Sequence, residues 1–201
     1  MKIAITGHTK GIGKSLYDKF ERQGHTVMGF SASTGFDIGD PISIKEILDF
    51  SLDCDIFINN AYHPTGQTLL LKEFLSSWNG TDKLIINICS KSALVPAEGE
   101  EGVEDIRPWL RQGWMADYIA SKKEQNKILR SRIFKNTPRT LNVLTGIVDT
   151  NMALIFDSGK LKSPDVADLI YELVEYSDKI SIQEIVIDVP GLDWNNVKVF
   201  I

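Results

Sequence analysis

Tyr118 and Lys122 stand four residues apart in the stretch DYIASKK, residues 117–123. In a helix, positions i and i+4 share a face, about 6 Å apart along the axis, so this phenol and this ammonium point the same way. An ammonium beside a phenol favours the phenolate and draws its pKa down from about 10; a tyrosine tuned in that way exchanges protons near neutral pH. Taken alone, the pair also fits a half-buried tyrosine beside a solvated lysine. A second stretch with chemical potential lies near the start, Thr6-Gly7-His8-Thr9-Lys10-Gly11-Ile12-Gly13. Glycines spaced GxxxGxG let a backbone turn tightly and approach a pyrophosphate resting on a helix N-terminus. The alternative there is a glycine-rich turn with no ligand.

The elements that must hold these groups alternate along the chain. Apolar strand-like runs fall at 2–6 (KIAIT), 26–30 (TVMGF), 35–38 (GFDI), 55–59 (DIFIN), 83–88 (KLIINI), 140–146 (TLNVLTG) and 184–189 (EIVIDV). Between them lie helical patterns ending at Gln23 and over 43–50, 68–78, 114–132 and 163–176; in the first, Ile12, Leu16 and Phe20 recur at i, i+4, i+8. Strands apolar on both faces, alternating with helices, predict a parallel sheet covered on each side. The expected architecture is one α/β domain over 1–201, a doubly wound sheet of about seven strands. In such a sheet ligands sit beyond the carboxyl ends of the strands.

Composition narrows the partners. At 201 residues, 43% apolar and 24% charged, the chain has the make-up of a single soluble domain. A net charge of −5 without a basic cluster argues against nucleic acid. No apolar run nears the roughly 20 residues of a membrane span, and MKIAIT is too short for a signal peptide. Cys54 and Cys89 lie in or beside apolar runs and read as buried free thiols of a reducing cytoplasm; His8, His25 and His63 lack ligand spacing, so no metal is expected.

Taken together, the motifs resemble those of the short-chain dehydrogenase/reductase family. Its TGxxxGIG pattern is matched by Thr6 to Gly13, and YIASK resembles the setting of its catalytic tyrosine and lysine. Asn59-Asn60-Ala61 is similar to its NNAG, with Tyr62 in place of the glycine; INICS resembles its NISS and puts Ser90 at the catalytic serine; TGIVDT resembles its PGxVxT, with Thr145 in place of proline. The resemblance runs over essentially the whole chain and implies a Rossmann-like fold. It implies that Tyr118 gives a proton to a carbonyl oxygen as hydride arrives, or takes one in reverse. It also implies that Lys122 lowers the phenol's pKa and holds nicotinamide ribose hydroxyls, and that Ser90 positions the substrate oxygen. Ser92 is the rival for the serine's role. By the same resemblance the cofactor is held by Gly7, Thr9, Lys10, Gly11, Ile12, Gly13, Ser31, Ser33, Asp37, Ile38, Asn59, Asn60, Ala61, Tyr118, Lys122, Gly146, Ile147 and Thr150.

An acid at the end of the second strand would grip a ribose 2′-hydroxyl and repel a 2′-phosphate. Here Ser31 stands where NAD-preferring members carry aspartate, no carboxylate occurs between Gly24 and Asp37, and Lys10 resembles the basic residue of NADP-preferring members. NADP is therefore the expected cofactor, with Ser31 and Ser33 as further donors.

The pattern also departs from the family. Where members place a further catalytic asparagine, the nearest residues are Tyr62 and His63, and His63 is either a substitute proton carrier or a loop residue. The stretch from Ser90 to Tyr118 is long and holds the acidic EGEEGVED, 98–105, which either favours a cationic substrate or is a solvated loop. Trp109 and Trp114 are candidates for a pocket wall or a subunit contact, and the short NMALIFDSGKLK after Thr150 implies an open pocket. The expected protein is a cytoplasmic NADP-dependent oxidoreductase of small carbonyls or alcohols, assembled as a homodimer or homotetramer with the apolar tail from Pro190 packing somewhere. The other reading is a non-catalytic NADP-binding sensor or interaction module of the same fold.

Overall fold

The computed structural model describes residues 1–96, 113–135, 137–153 and 159–191. Six parallel strands form one sheet: β1 (Lys2–Thr6), β2 (Thr26–Phe30), β3 (Ile56–Asn59), β4 (Leu84–Ser90), β5 (Arg139–Thr145) and β6 (Glu184–Ile187), in the order β2-β1-β3-β4-β5-β6. The helices are α1 (Gly11–Arg22), α2 (Pro41–Phe50), α3 (Gly66–Ser77), α4 (Gly113–Arg130) and α5 (Ser163–Glu175). The chain steps outward from β1 to β2, then crosses back to β3 on β1's other side. This reversal opens a crevice at the carboxyl ends of β1 and β3.

Period-two alternation sorts the strand side chains into two layers. Ile3, Ile5, Ile56, Ile58, Leu84, Ile86, Leu141 and Val143 face α1 and α5, meeting Leu16, Phe20, Val166, Ile170 and Val174. Ala4, Phe57 and Ile85 face the other way, against Ile44 and Ile47 of α2, Leu70, Leu71 and Phe74 of α3, and Leu129 of α4. The rings of Phe57 and Phe74 stack with centroids 3.5 Å apart. Burying each such side chain is worth about 1.5–3 kcal/mol. Both thiols are free and buried.

Among the described residues the sheet has six strands, not about seven, because GFDI does not pair. Ser31 instead opens a turn of 3-10 helix over Ala32–Thr34, which Gly35 closes in the left-handed region at φ 93°. The Asp37 carboxylate then accepts from the Gly39 N–H at 2.8 Å. Asp40 caps α2 by accepting from the N–H groups of Ile42 at 3.1 Å and Ser43 at 3.2 Å, with Pro41 in the first turn. These contacts hold the Asp40 carboxyl below the usual range, the Ile42 N–H first. Turn chemistry therefore wins over the β-propensity of a four-residue run, and α2 starts earlier than the apolar pattern indicates. No helix among the described residues is long and apolar enough to cross a membrane.

Candidate active site

A cleft of about 630 Å³ opens beyond the carboxyl ends of β1, β3, β4 and β5, within the size range of small-molecule sites. Gly7, Thr9, Lys10, Gly11 and Ile12 form one side; Asn60, Ala61 and Tyr62 follow β3; Ser90 follows β4; Tyr118 and Lys122 come from α4; and Gly146, Ile147 and Thr150 follow β5. Most of the residues singled out by the motifs thus share one cavity.

The glycine loop is built around close approach. Gly7 lies at φ 74°, and a Cβ on Gly13 would stand 2.3 Å from the Gly7 carbonyl oxygen, so no larger residue fits there. Asn60 locks the loop: its Nδ2 donates to the Thr6 carbonyl at 3.0 Å, while the Thr6 hydroxyl accepts from the N–H groups of Asn60 at 3.0 Å and Ala61 at 3.1 Å. Among the described residues no side chain caps the N-terminus of α1, and its first turn holds no acid. Its first N–H groups are left to meet an anion.

Other expected cofactor residues sit off the cleft wall. Ser31 is buried at the end of β2 with its Oγ 2.9 Å from that of Ser33, and the Ser33 hydroxyl donates to Thr9 Oγ1 at 3.4 Å, joining this turn to the loop. Asp37 is exposed and tied to Gly39; Ile38 is buried in the core beside α2. Gly13 is buried inside α1. Asn59 is fully buried and reaches away from the cleft, donating to the Gln67 carbonyl at 2.9 Å and to Asn87 Oδ1 at 3.0 Å. Lys10 is exposed, and among the described residues no carboxylate pairs with it.

Tyr118 and Lys122 do share a face of α4. The Lys122 Nζ stands 5.5 Å from the Tyr118 ring centre and 5.8 Å from that of Tyr62, whose ring meets Tyr118 edge-on at 4.9 Å. Trp114 lies on another side of Tyr118 at 6.2 Å. The expectation that the ammonium lowers the phenol's pKa is not met. Burial pushes Tyr118 up to about 12, opposed by a hydrogen bond from Ser90, and burial pushes Lys122 down to about 8. Loss of hydration is the largest cause in both groups; at Lys122 it outweighs the opposing charge of Cys89.

Ser90 receives two hydrogen bonds from Ser92, from its N–H at 3.1 Å and its hydroxyl at 2.9 Å. A serine oxygen has two lone pairs and one proton. With both lone pairs engaged, the Ser90 proton is directed outward, the polarity its bond to Tyr118 requires. Ser92 is therefore the support of Ser90. His63 faces away from this chemistry: its Nδ1 accepts from the Gly66 N–H at 3.0 Å, at the start of α3.

Two asparagines without a motif, Asn87 and Asn142, lie under the site beside Asn59. Register places Asn59, Asn87 and Asn142 side by side on β3, β4 and β5, with Glu184 of β6 next in line. Asn59 donates to Asn87, Asn87 to Asn142 Oδ1 at 3.1 Å and to Gln125 at 3.2 Å, and Asn142 to Asn126 at 3.0 Å. Glu184 ends the row in a two-pronged ion pair with Arg130, at 2.7 and 3.0 Å. The row ties α4, and with it Tyr118 and Lys122, to the sheet. Its one sequence signal is an asparagine closing each of the runs IFIN, LIIN and TLN. Trp109, the acidic run 98–105 and residues 192–201 of the tail lie outside the described residues.

A nicotinamide dinucleotide fits this cleft on the structure's own terms, through the uncapped α1, the close approach at Gly7 and Gly13, and a volume suited to a ligand of that size. No family model matches the chain, and no curated protein matches it in sequence. Solved structures do match. An alcohol dehydrogenase from the archaeon Thermococcus sibiricus, complexed with 5-hydroxy-NADP, superposes with a TM-score of 0.72 at 17% identity, over 96% of this chain and 98% of the other. A 3-alpha-hydroxysteroid dehydrogenase from Pseudomonas sp. B-0831, complexed with NADH, gives 0.70 at 19%, over 93% and 94%. A short chain dehydrogenase from Burkholderia cenocepacia J2315, in complex with NADP, gives 0.68 at 17%, over 92% and 87%. The chain has the Rossmann-like fold of the short-chain dehydrogenases, over nearly its full length.

Proposed function

We propose that the protein is an NADP-dependent oxidoreductase of a small carbonyl or alcohol. The observation that carries this reading is the convergence of Ser90, Tyr118 and Lys122 on a cleft whose other end is the glycine loop and the uncapped α1. The bound dinucleotide would supply or accept hydride. Gly7, Gly11 and Ile12 would hold its phosphates by backbone N–H groups, and Asn60, Gly146, Ile147 and Thr150 line the path between them and the three reactive side chains. Lys122 is the candidate for the ribose hydroxyls.

The residues divide the proton work. With a pKa of about 12, Tyr118 is a neutral phenol at pH 7, the form that donates a proton to a carbonyl oxygen in reduction. With substrate bound, Ser90, its own oxygen saturated by Ser92, turns its one proton from Tyr118 to the same carbonyl oxygen and stabilises the charge that develops there. The reverse reaction needs the phenolate, so alcohol oxidation is favoured by alkali.

The preference for NADP rests on the absence of a carboxylate from residues 31–36, on Asp37 being turned into its own bend, and on Lys10 at the loop's edge with Ser31 and Ser33 beside Thr9. The same reading includes a cytoplasmic homodimer or homotetramer. The exposed Ile180 and Val186 beside and on the edge strand β6 are groups such an interface would cover. Fluorescence titration with NADPH and NADH tests the cofactor. Binding of NADPH at least tenfold tighter is expected; preference for NADH overturns the 2′-phosphate assignment, and binding of neither overturns the oxidoreductase reading. A carbonyl screen with Tyr118→Phe as control then separates an enzyme from a protein that only binds dinucleotide.

A further inference from the structure

Lys122 is 3% exposed, yet among the described residues no carboxylate pairs with it. A buried ammonium needs acceptors. Its Nζ has two, Gln67 Oε1 at 2.7 Å and the Ile88 carbonyl at 3.0 Å. The titratable groups facing it are Cys89 of β4, Tyr118 of its own helix and Tyr62 after β3.

Gln67, in the first turn of α3, is fully buried and fixed at both ends of its amide. Its Nε2 donates to the carbonyls of Asn59 and Ile88, both at 3.0 Å, and its Oε1 also accepts from Gln125 at 3.3 Å. The partners fix the orientation of the amide, since Lys122 only donates and the two carbonyls only accept. A carboxylate at this position would set an acceptor against two carbonyls. An apolar side chain would leave the ammonium a single acceptor. A primary amide serves both ends.

We propose that Gln67 is the positioning residue for Lys122: its amide oxygen fixes where the ammonium sits and sustains its charge without supplying a counter-ion. The proposal deepens the reading of Lys122 as a working group of the cleft, but its test does not depend on activity.

The test is an NMR titration of the full chain labelled at the lysine side chains, with the Lys122 signal assigned by its loss in Lys122→Met. Lys122 is expected to titrate near 8. Gln67→Met removes an acceptor of the charged form and lowers the proton affinity at least tenfold. Gln67→Glu keeps the shape, sets a carboxylate on the ammonium and raises the affinity at least tenfold, at a cost in melting temperature. Gln125→Met, which touches the Gln67 amide but makes no hydrogen bond to Lys122, leaves the midpoint within about twofold and serves as the control. Circular dichroism confirms the fold of each variant. Midpoints unmoved in both Gln67 variants, or moved equally in the control, overturn the proposal. Opposite shifts in a protein with no dehydrogenase activity uphold it and count against the oxidoreductase reading alone.

Discussion

On the α1–α5 side of the sheet, Ile58, Ile86 and Val143 meet Leu16, Phe20 and Ile170 as an apolar layer. On the opposite side, one residue further along each strand or one before, Asn59, Asn87 and Asn142 form a row of amides under α3 and α4. The two faces belong to the same strands and differ only in phase. The apolar layer supplies stability without direction, since hydrophobic contact tolerates small shifts. The amide row supplies direction, because each hydrogen bond holds its partner to a few tenths of an ångström, and it lies beneath the residues whose placement matters most.

Substitutions that act on one side and spare the other sharpen this contrast. Tyr118→Phe on the polar side removes the proton donor while leaving both cores intact. A loss of about 10²–10⁴-fold in kcat, with NADPH affinity unchanged by titration, is expected. Ile170→Ala on the apolar side, at a fully buried position, is expected to cost about 2–5 kcal/mol in denaturant unfolding with little effect on NADPH affinity in the folded fraction. If that affinity fell with stability, the division between the faces would not hold.

Lys122 gives the polar side a signature in pH. Its folded pKa, about 8, lies below the ordinary lysine value of 10.5. Between those values the unfolded chain holds the extra proton, so stability rises with pH across the window. Measured against Lys122→Met, wild type is expected to gain up to about 3 kcal/mol of relative stability between pH 8 and 10.5; a flat difference would show that the ammonium is not desolvated. Asn142→Leu leaves Asn126 Oδ1 without its donor and Asn87 Nδ2 with Gln125 alone. The expected cost is about 1–3 kcal/mol, with a fall in kcat larger than the change in KM because α4 loses its register. Arg130→Ala removes an ion pair at the open end of the row, and its cost is expected to stay under about 1 kcal/mol and to shrink in salt.

The alternation of strands and helices was legible in the sequence, and so was the clustering of Ser90, Tyr118, Lys122 and the glycine loop, because short-range periodicity and motif order carry both. The strand expected at 35–38 failed because Ser31, Gly35 and Asp37 each spend their local hydrogen-bonding capacity on a turn. The amide row was not legible for a different reason. Asn59 and Asn87 are 28 residues apart and Asn87 and Asn142 are 55, and only the register of the finished sheet makes them neighbours. Gln67 carries no sequence signal, because the apolar pattern starts the helix at Thr68, just past it, and the partner that gives it meaning lies on α4. Spacing alone points the Tyr118 pKa the wrong way, because it reveals a nearby charge and says nothing of how much water both groups lose.

The row under the site is made of amides until it reaches Glu184 at the rim. Amides neither gain nor lose protons over the range in which proteins stay folded, and they carry no net charge for counter-ions to screen. Short of that rim, the framework that aims Tyr118 and Lys122 is accordingly indifferent to buffer and ionic strength. A change in turnover with acidity then reports the reacting groups themselves, undistorted by movement of what holds them.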